Sequence, residues 1–460
     1  MFEARTYIER RRQLRNLLGD SIALIYGHSE VPRNYRDNTY DFRQNSSFLY
    51  FAGHSISGMF LISTPDGDYL SGYENTVDDI IWTGPLPSLG ELAEQIGVSK
   101  IIPSDKLADF LRSFGAEIHY LPPYRGDDVF MLASLLGKSP DEIRSGSSRK
   151  LLKSVVDLRL VKESCEIIEI EKALAASWDM YQEAARYISD GTSEYTVMAA
   201  MKAAAMDHNC TMSFTPIVTI RGEVLHNHSY SGTMKNGNLL LLDSGAETTT
   251  GYASDITRTF PVSGKFSDKQ AVIYQTVLNA WKKAVSMVKP DITMKELHLA
   301  AAGEVAQGLI AAGLMKGNAS DAVEAGAHAM FFPHGLGHMM GLDVHDMEDL
   351  GDYVGYGDEQ RSGQFGLAFL RMARKLKPGY VFTIEPGIYF IDALIDKWKS
   401  EGKCRDFIDY DAVDKFRGLG GIRIEDDILV TDNGGRILGK NEIPREIIDV
   451  EGLFQDVLMP

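Results

Sequence analysis

Cysteine is scarce in this chain: Cys165, Cys210 and Cys404 are the only three in 460 residues. An odd, scattered count with no CxxC spacing predicts neither a disulfide framework nor a thiolate zinc site, and fits the reducing cytoplasm. Long apolar runs are missing as well. No stretch reaches the roughly 18 uninterrupted apolar residues of a membrane-spanning helix. Met1–Asp20 carries Arg5, Arg10, Arg11, Arg12 and Arg15 but lacks the apolar segment of a signal peptide. Basic charge is in short supply: Lys and Arg number 47 against 64 Asp and Glu, a net charge of −17. Neutralising a phosphate backbone needs the opposite balance, so nucleic acid is excluded as a partner. The HExxH of helical zinc proteases is absent too.

What is present reads as an ordinary globular protein, 44% hydrophobic and 24% charged. Its length exceeds the roughly 250–300 residues at which a single core stops growing, which predicts two domains. In the first, Ser21–Tyr26, Ser47–Phe51 and Met59–Ser63 read as strands, with a turn at Pro65-Asp66-Gly67 and a short helix over Leu107–Phe114. This alternation predicts an α/β domain with a mixed sheet over 1–155. The polar stretch Lys138–Lys150 is the natural boundary region. The second domain, 156–460, opens on a long amphipathic helix, Glu163–Ile188, with Ile167, Ile170, Leu174, Trp178 and Tyr181 at helical spacing. Helices over Glu194–Met206, Lys269–Val288 and Leu297–Ala312 and several strand-like runs predict an α+β architecture.

Four of those runs carry an acid where a core residue is expected. Asn238–Asp243 ends in Asp243, Ser254–Val262 opens with Asp255, Val381–Glu385 closes on Glu385, and Gly421–Val430 contains Glu425. In the last, the two-residue strand period puts Arg423 and Glu425 on one face and Ile422 and Ile424 on the other. A carboxylate among Leu, Ile, Val and Phe must be paired, protonated or metal-bound. Asp243 alone would tie down the loop after its strand, and the whole set would suit an acidic face with arginine partners. Four together favour a cation site. Histidines supply the complement: His334, His338 and His345 fall in HGLGHMMGLDVHD, and His226 and His228 in LHNHS. Gly335, Gly337 and Gly341 disfavour a helix there and predict a loop whose backbone approaches its surroundings closely. Carboxylates with one imidazole form an oxygen-rich donor set suited to Mn²⁺, and carboxylate bridges hold ions about 3.5–4 Å apart.

These segments resemble the pita-bread metallopeptidases, specifically the proline-specific branch containing aminopeptidase P and prolidase. LLLDSGAE, GYASDITRTFPVSGKFS, PHGLGHMMGLDVHD, LKPGYVFTIEPGIYF and RGLGGIRIEDDILVT occur in the family's order, and YDFRQNSSFLYFAG resembles its N-terminal domain. The resemblance implies a pita-bread catalytic domain behind an aminopeptidase-P-type N-terminal domain. It also implies two divalent ions, Mn²⁺ foremost with Co²⁺ or Zn²⁺ as alternatives, on Asp243, Asp255, His338, Glu385 and Glu425. Asp255 and Glu425 would bridge the ions, while Asp243 holds one and His338 the other. Glu385 would double as the acid–base group. His226, His334 and His345 match substrate-contacting positions, and Arg423 a support for the carboxylates. The implied partners are peptides with proline second and further copies of the chain. Asp243 and Asp255 lie one residue further apart than is usual in the family, and the hairpin tip Thr248–Gly251 is where the extra residue is expected. Cleavage mode stays open. Removal of an N-terminal residue is slightly favoured, while LRMARKLKPGYVFTIE is closer to animal prolidases, in which the arginine matching Arg371 reads a dipeptide's carboxylate. A catalytically silent, peptide-binding module is the remaining alternative.

Overall fold

The computed structural model describes residues 1–457, which divide into two compact units. One comprises residues 1–160 with 347–353, and the other 161–346 with 354–457.

The first unit is built on a five-stranded sheet in the order Lys100–Pro103, Gly67–Gly72, Phe60–Thr64, Ile22–Tyr26, Ile118–Tyr120. Two pairings are parallel and two antiparallel, so the sheet is mixed as expected. The Asp66-Gly67 turn closes a hairpin in which Thr64 pairs with Gly67. The expected strand over Ser47–Phe51 is instead a helix, Ser46–Ala52. The Asn45 side chain accepts from the Ser47 and Phe48 amides, satisfying two orphan donors of the first turn. Every residue of that helix is buried, so no amphipathic period distinguishes it from a buried strand.

The second unit packs helices Ser164–Ala185, Glu194–Asp207, Asp268–Met287 and Met294–Ala311 with short antiparallel sheets. Leu239–Ser244 is the central strand of one sheet, flanked by Ile256–Pro261 and Ile217–Thr219. The first helix is anchored to this hairpin by Tyr181, whose hydroxyl donates to the Ile256 carbonyl at 2.5 Å, and by Ser177, 2.8 Å from Ser254. The expected single strand over Gly421–Val430 is two. Gly421–Arg423 pairs with Gly387–Tyr389, whereas Asp426–Thr431 pairs with Val381–Ile384. At the break, Glu425 bridges to Thr257, its amide donating to the Thr257 carbonyl at 3.1 Å. The break lets one segment serve two sheets and pins it to a third.

Candidate metal centre

The central hairpin decides where the first two acids point. Asp243 lies opposite Thr257 in the register, and Asp255 is two residues before Thr257, so the side chains of Asp243, Thr257 and Asp255 share one face. Thr257 donates from its hydroxyl to Glu425 Oε2 at 2.6 Å and brings the third carboxylate to that face. Beneath, Arg258 is wholly buried and ties the segments together: it donates to the Glu425 carbonyl at 2.7 Å and to Asp426 at 2.8 Å.

His338 arrives on the glycine-rich loop, which is not helical. Gly337 explains its composition, since a Cβ there would sit 1.9 Å from the Thr383 carbonyl oxygen. The loop instead lies against the strand: the Thr383 amide donates to the His338 carbonyl, and the Thr383 hydroxyl accepts from the His338 amide at 3.2 Å. His338 Nδ1 donates to the Met339 carbonyl at 3.1 Å, which directs Nε2 toward the acids. That nitrogen is 3.4 Å from Asp255 Oδ2 and 3.7 Å from Glu385 Oε1. A lone pair facing carboxylates is repulsive unless a proton or cation stands between them.

Donor atoms of Asp255, His338 and Glu425 all lie within 4.8 Å of one another. Asp255 Oδ1 and Glu425 Oε1 are buried and lack hydrogen-bond partners, an expense avoided when such oxygens ligate a cation. Burial, then the charge of Asp243, raises the Asp255 carboxyl far above its ordinary range. Burial, then Asp255, Glu385 and Asp243, does the same to Glu425. Glu385 is raised to about 7, chiefly by burial. Carboxylates that resist ionisation in one another's company are a set that divalent cations would ionise, so the donors fit such ions.

Arg423, Tyr389, His334 and His345 connect to this cluster through contacts. Arg423 donates to Asp243, to Thr257 Oγ1 at 3.1 Å and to the Tyr389 hydroxyl at 2.8 Å. Tyr389 also lies 2.8 Å from His334 Nε2. Since His334 Nδ1 donates to the Gly335 carbonyl, the tyrosine hydroxyl donates to Nε2. Burial, then the positive charge of Arg423, lowers the pKa of His334 to about 3, so its ring is neutral. His345 packs on His338 with ring centroids 4.0 Å apart. His226 sits on the loop after Ile217–Thr219, its pKa lowered by desolvation and then by the charges of Arg423 and Arg371. Arg371 thus reaches the site electrostatically, and its charge is also felt at His334.

Sequence reasoning missed several members. Tyr389 joins Arg423 to His334, yet reads as core in EPGIYF. Asp427 was passed over in the run IEDD, although its carboxylate accepts from the Asp255 amide at 3.2 Å. A buried pair, Lys162 Nζ to Asp346 Oδ2 at 2.9 Å, holds the loop beside His345. The hairpin tip where the extra residue is expected turns through Gly251 and is tied by Thr250 to Glu169 at 2.5 Å.

A family model described as metallopeptidase family M24 matches residues 169–432, more than half the chain. The chain belongs to that family. This M24 protein is therefore a metal-dependent hydrolase, and a second model, the aminopeptidase P N-terminal domain, matches residues 7–119. The Xaa-Pro dipeptidase of Mus musculus is 30% identical over 96% of this chain and 90% of its own length. A probable Xaa-Pro aminopeptidase of Metarhizium robertsii is 29% identical over 96% and 91%. Among solved structures, Pseudomonas aeruginosa aminopeptidase PepP superposes with a TM-score of 0.82 at 27% identity, covering 99% of each chain. Zinc-substituted Escherichia coli aminopeptidase P in complex with product gives 0.81 at 27%, covering 100% of each. The expected fold class is thereby borne out for both domains.

Proposed function

We propose that this M24 protein hydrolyses the peptide bond preceding proline, with two divalent ions held by Asp243, Asp255, His338, Glu385 and Glu425. The observation that carries the reading is the converging donor set of Asp255, His338 and Glu425, with a buried oxygen on each acid lacking a hydrogen-bond partner. The similarity to Xaa-Pro peptidases along almost the whole chain supports the substrate class. When bound, such ions acidify water and polarise a carbonyl. Mn²⁺ is the favoured metal because the donors are mostly carboxylate oxygens, with Co²⁺ or Zn²⁺ next.

The chain's own groups do the rest. Asp255 and Glu425 would serve both ions, Asp243 and His338 would each hold one, and Glu385 would be both a ligand and the group that carries the proton from water to the leaving nitrogen. Arg423 fixes Asp243 through its guanidinium and Tyr389 through Nη1. His226, His334 and His345 contact the substrate and the charge developing on its carbonyl oxygen. The enzyme is assigned to the cytoplasm as a homo-oligomer. Among the described residues no helix is long and apolar enough to cross a membrane.

Release of the N-terminal residue from longer peptides is the preferred mode. The alternative, dipeptide cleavage, is favoured by one observation: Arg371 lies close enough for its charge to be felt at His226 and His334. An arginine placed there would bind a dipeptide's terminal carboxylate bidentately. Hydrolysis of Xaa-Pro and Xaa-Pro-Pro with Mn²⁺ tests both modes. In the dipeptidase, Arg371→Ala lowers Xaa-Pro turnover about ten- to hundredfold. In the aminopeptidase, Xaa-Pro-Pro is cut faster and Arg371→Ala leaves it nearly unchanged. Full activity of metal-stripped protein in chelator would refute the metallopeptidase reading altogether.

A further inference from the structure

The loop bearing His226 is closed by a single buried carboxylate. Glu194 opens the helix Glu194–Asp207, after the N-cap Ser193, and is only 2% exposed. Its Oε1 accepts from the Ile220 amide at 2.8 Å and its Oε2 from the Gly232 amide at 2.8 Å. Those two amides stand at opposite ends of the segment 221–231, which contains no helix or strand. The closure is reinforced by Glu194's own amide, which donates to the Gly232 carbonyl at 3.0 Å. Gly232 leaves room for it, since a Cβ there would lie 2.5 Å from Oε1. Two side chains of the loop add ties of their own. Asn227 donates to Thr219 Oγ1 at 2.9 Å and Tyr230 to the Pro216 carbonyl at 2.6 Å, both back toward the strand side. His226 rides between these ties, its pKa lowered by desolvation and then by the charges of Arg423 and Arg371.

A buried carboxylate that accepts two backbone donors makes strong, charge-assisted bonds with fixed geometry. Here they fix the distance between the loop's ends and so remove most of its freedom to swing. We infer that Glu194 is a positioning residue for His226, clasping both ends of loop 221–231 so that the imidazole is held over the metal centre. This rests on the role proposed above for His226. Glutamine at this position keeps one acceptor and turns an N–H toward the other amide, and alanine removes both bonds.

The test is a double-mutant cycle in the full chain loaded with Mn²⁺, reading kcat and KM on Xaa-Pro and Xaa-Pro-Pro, metal content, and hydrogen exchange at the Ile220 and Gly232 amides. Glu194→Ala lowers kcat about ten- to hundredfold with both metals retained, Glu194→Gln falls between, and both amides exchange faster. In the His226→Ala background, Glu194→Ala adds at most about a twofold loss, because the two residues act through one contact. Losses that multiply instead would make Glu194 a general support of the fold and overturn the inference. So would wild-type kcat in Glu194→Gln, the variant to rely on should the alanine fail to fold. If His226→Ala leaves kcat intact while activity remains metal-dependent, His226 has no catalytic role and the clasp has none with it. Absence of metal-dependent cleavage in the wild type would instead sink the peptidase reading itself.

Discussion

Removing one oxygen atom, in Tyr389→Phe, probes the chain of contacts from Asp243 to His334. The Tyr389 hydroxyl accepts from Arg423 Nη1 and donates to His334 Nε2, each at 2.8 Å, in a fully buried setting. Burial raises the phenol's pKa, so it holds its proton and remains a donor at any working pH. The first bond is charge-assisted and worth about 1.5–3 kcal/mol, the second about 0.5–1.5 kcal/mol. Phenylalanine fills the same volume, so no cavity term enters, but it strands a guanidinium N–H and an imidazole lone pair away from water. The expected cost is roughly 2–4 kcal/mol in stability, or a fall in Tm of roughly 3–6 °C for a unit of this size. Arg423 keeps its bonds to Asp243 and Thr257, so metal content is retained. His334, left with its hydrogen bond to the Gly335 carbonyl and its packing on Phe332, gains freedom to tilt, and kcat on Xaa-Pro-Pro falls about tenfold or more with little change in KM. Calorimetry and steady-state kinetics on metal-loaded protein read both effects. A Tm within about 1 °C of wild type together with kcat within about twofold would refute the view that this hydroxyl couples the two halves of the site.

Asp255→Asn removes an acid that can ionise in the cluster only at a cost, so the metal-free variant should melt at a higher temperature than metal-free wild type while losing the Mn²⁺-induced rise in Tm. A variant that keeps the rise would deny Asp255 its bridging place. The pH dependence follows from Glu385, whose pKa in the folded, metal-free chain is about 7 against an ordinary 4.5. Raised in the folded state, it keeps a proton that the unfolded chain has lost, so this group's contribution to stability falls as pH climbs from about 4.5 to 7, by at most about 3 kcal/mol. The neutral buried histidines, His298, His328 and His334, act in the opposite sense and largely cancel between metal-free and loaded protein. The Tm gain on adding Mn²⁺ should therefore be larger at pH 7 than at pH 5, and a gain that shrinks over that range would contradict the argument. Lys162→Met takes away the ammonium 2.9 Å from Asp346 in a site where both side chains are 1% exposed, and should destabilise by about 3–5 kcal/mol. Melting the double variant Lys162→Met with Asp346→Leu checks it, since removing both charges should restore most of the loss.

The four clustered acids were legible because each interrupts or closes an apolar run, a violation of pattern that only a partner or an ion makes tolerable. Helices Ser164–Ala185 and Asp268–Met287 were equally legible from their period. Ser46–Ala52 was not, because a helix buried on every side has no polar face to betray its period. The break at Ile424-Glu425 was hidden for a related reason. Strand alternation continues through it, and only the pairing partners change. Tyr389 was invisible because a phenol among Ile388 and Phe390 reads as packing until the atoms beyond its hydroxyl are known. Glu194 looks, in sequence, like any acid in the first turn of a helix.

The bridge between Thr257 and Glu425 gives the metal centre a second significance. The donors proposed for it lie in or just beside strands of separate ladders, at Asp243, Asp255, Glu385 and Glu425, and on a loop at His338. An ion shared among them would act as a covalent staple does, fastening pieces of chain far apart in sequence in a protein with only three, scattered cysteines. Chelation should then do more than stop turnover. It should release the seam between the two ladders first, so that the Glu425 amide, bonded to the Thr257 carbonyl across that seam, exchanges its hydrogen well before the amides inside either hairpin.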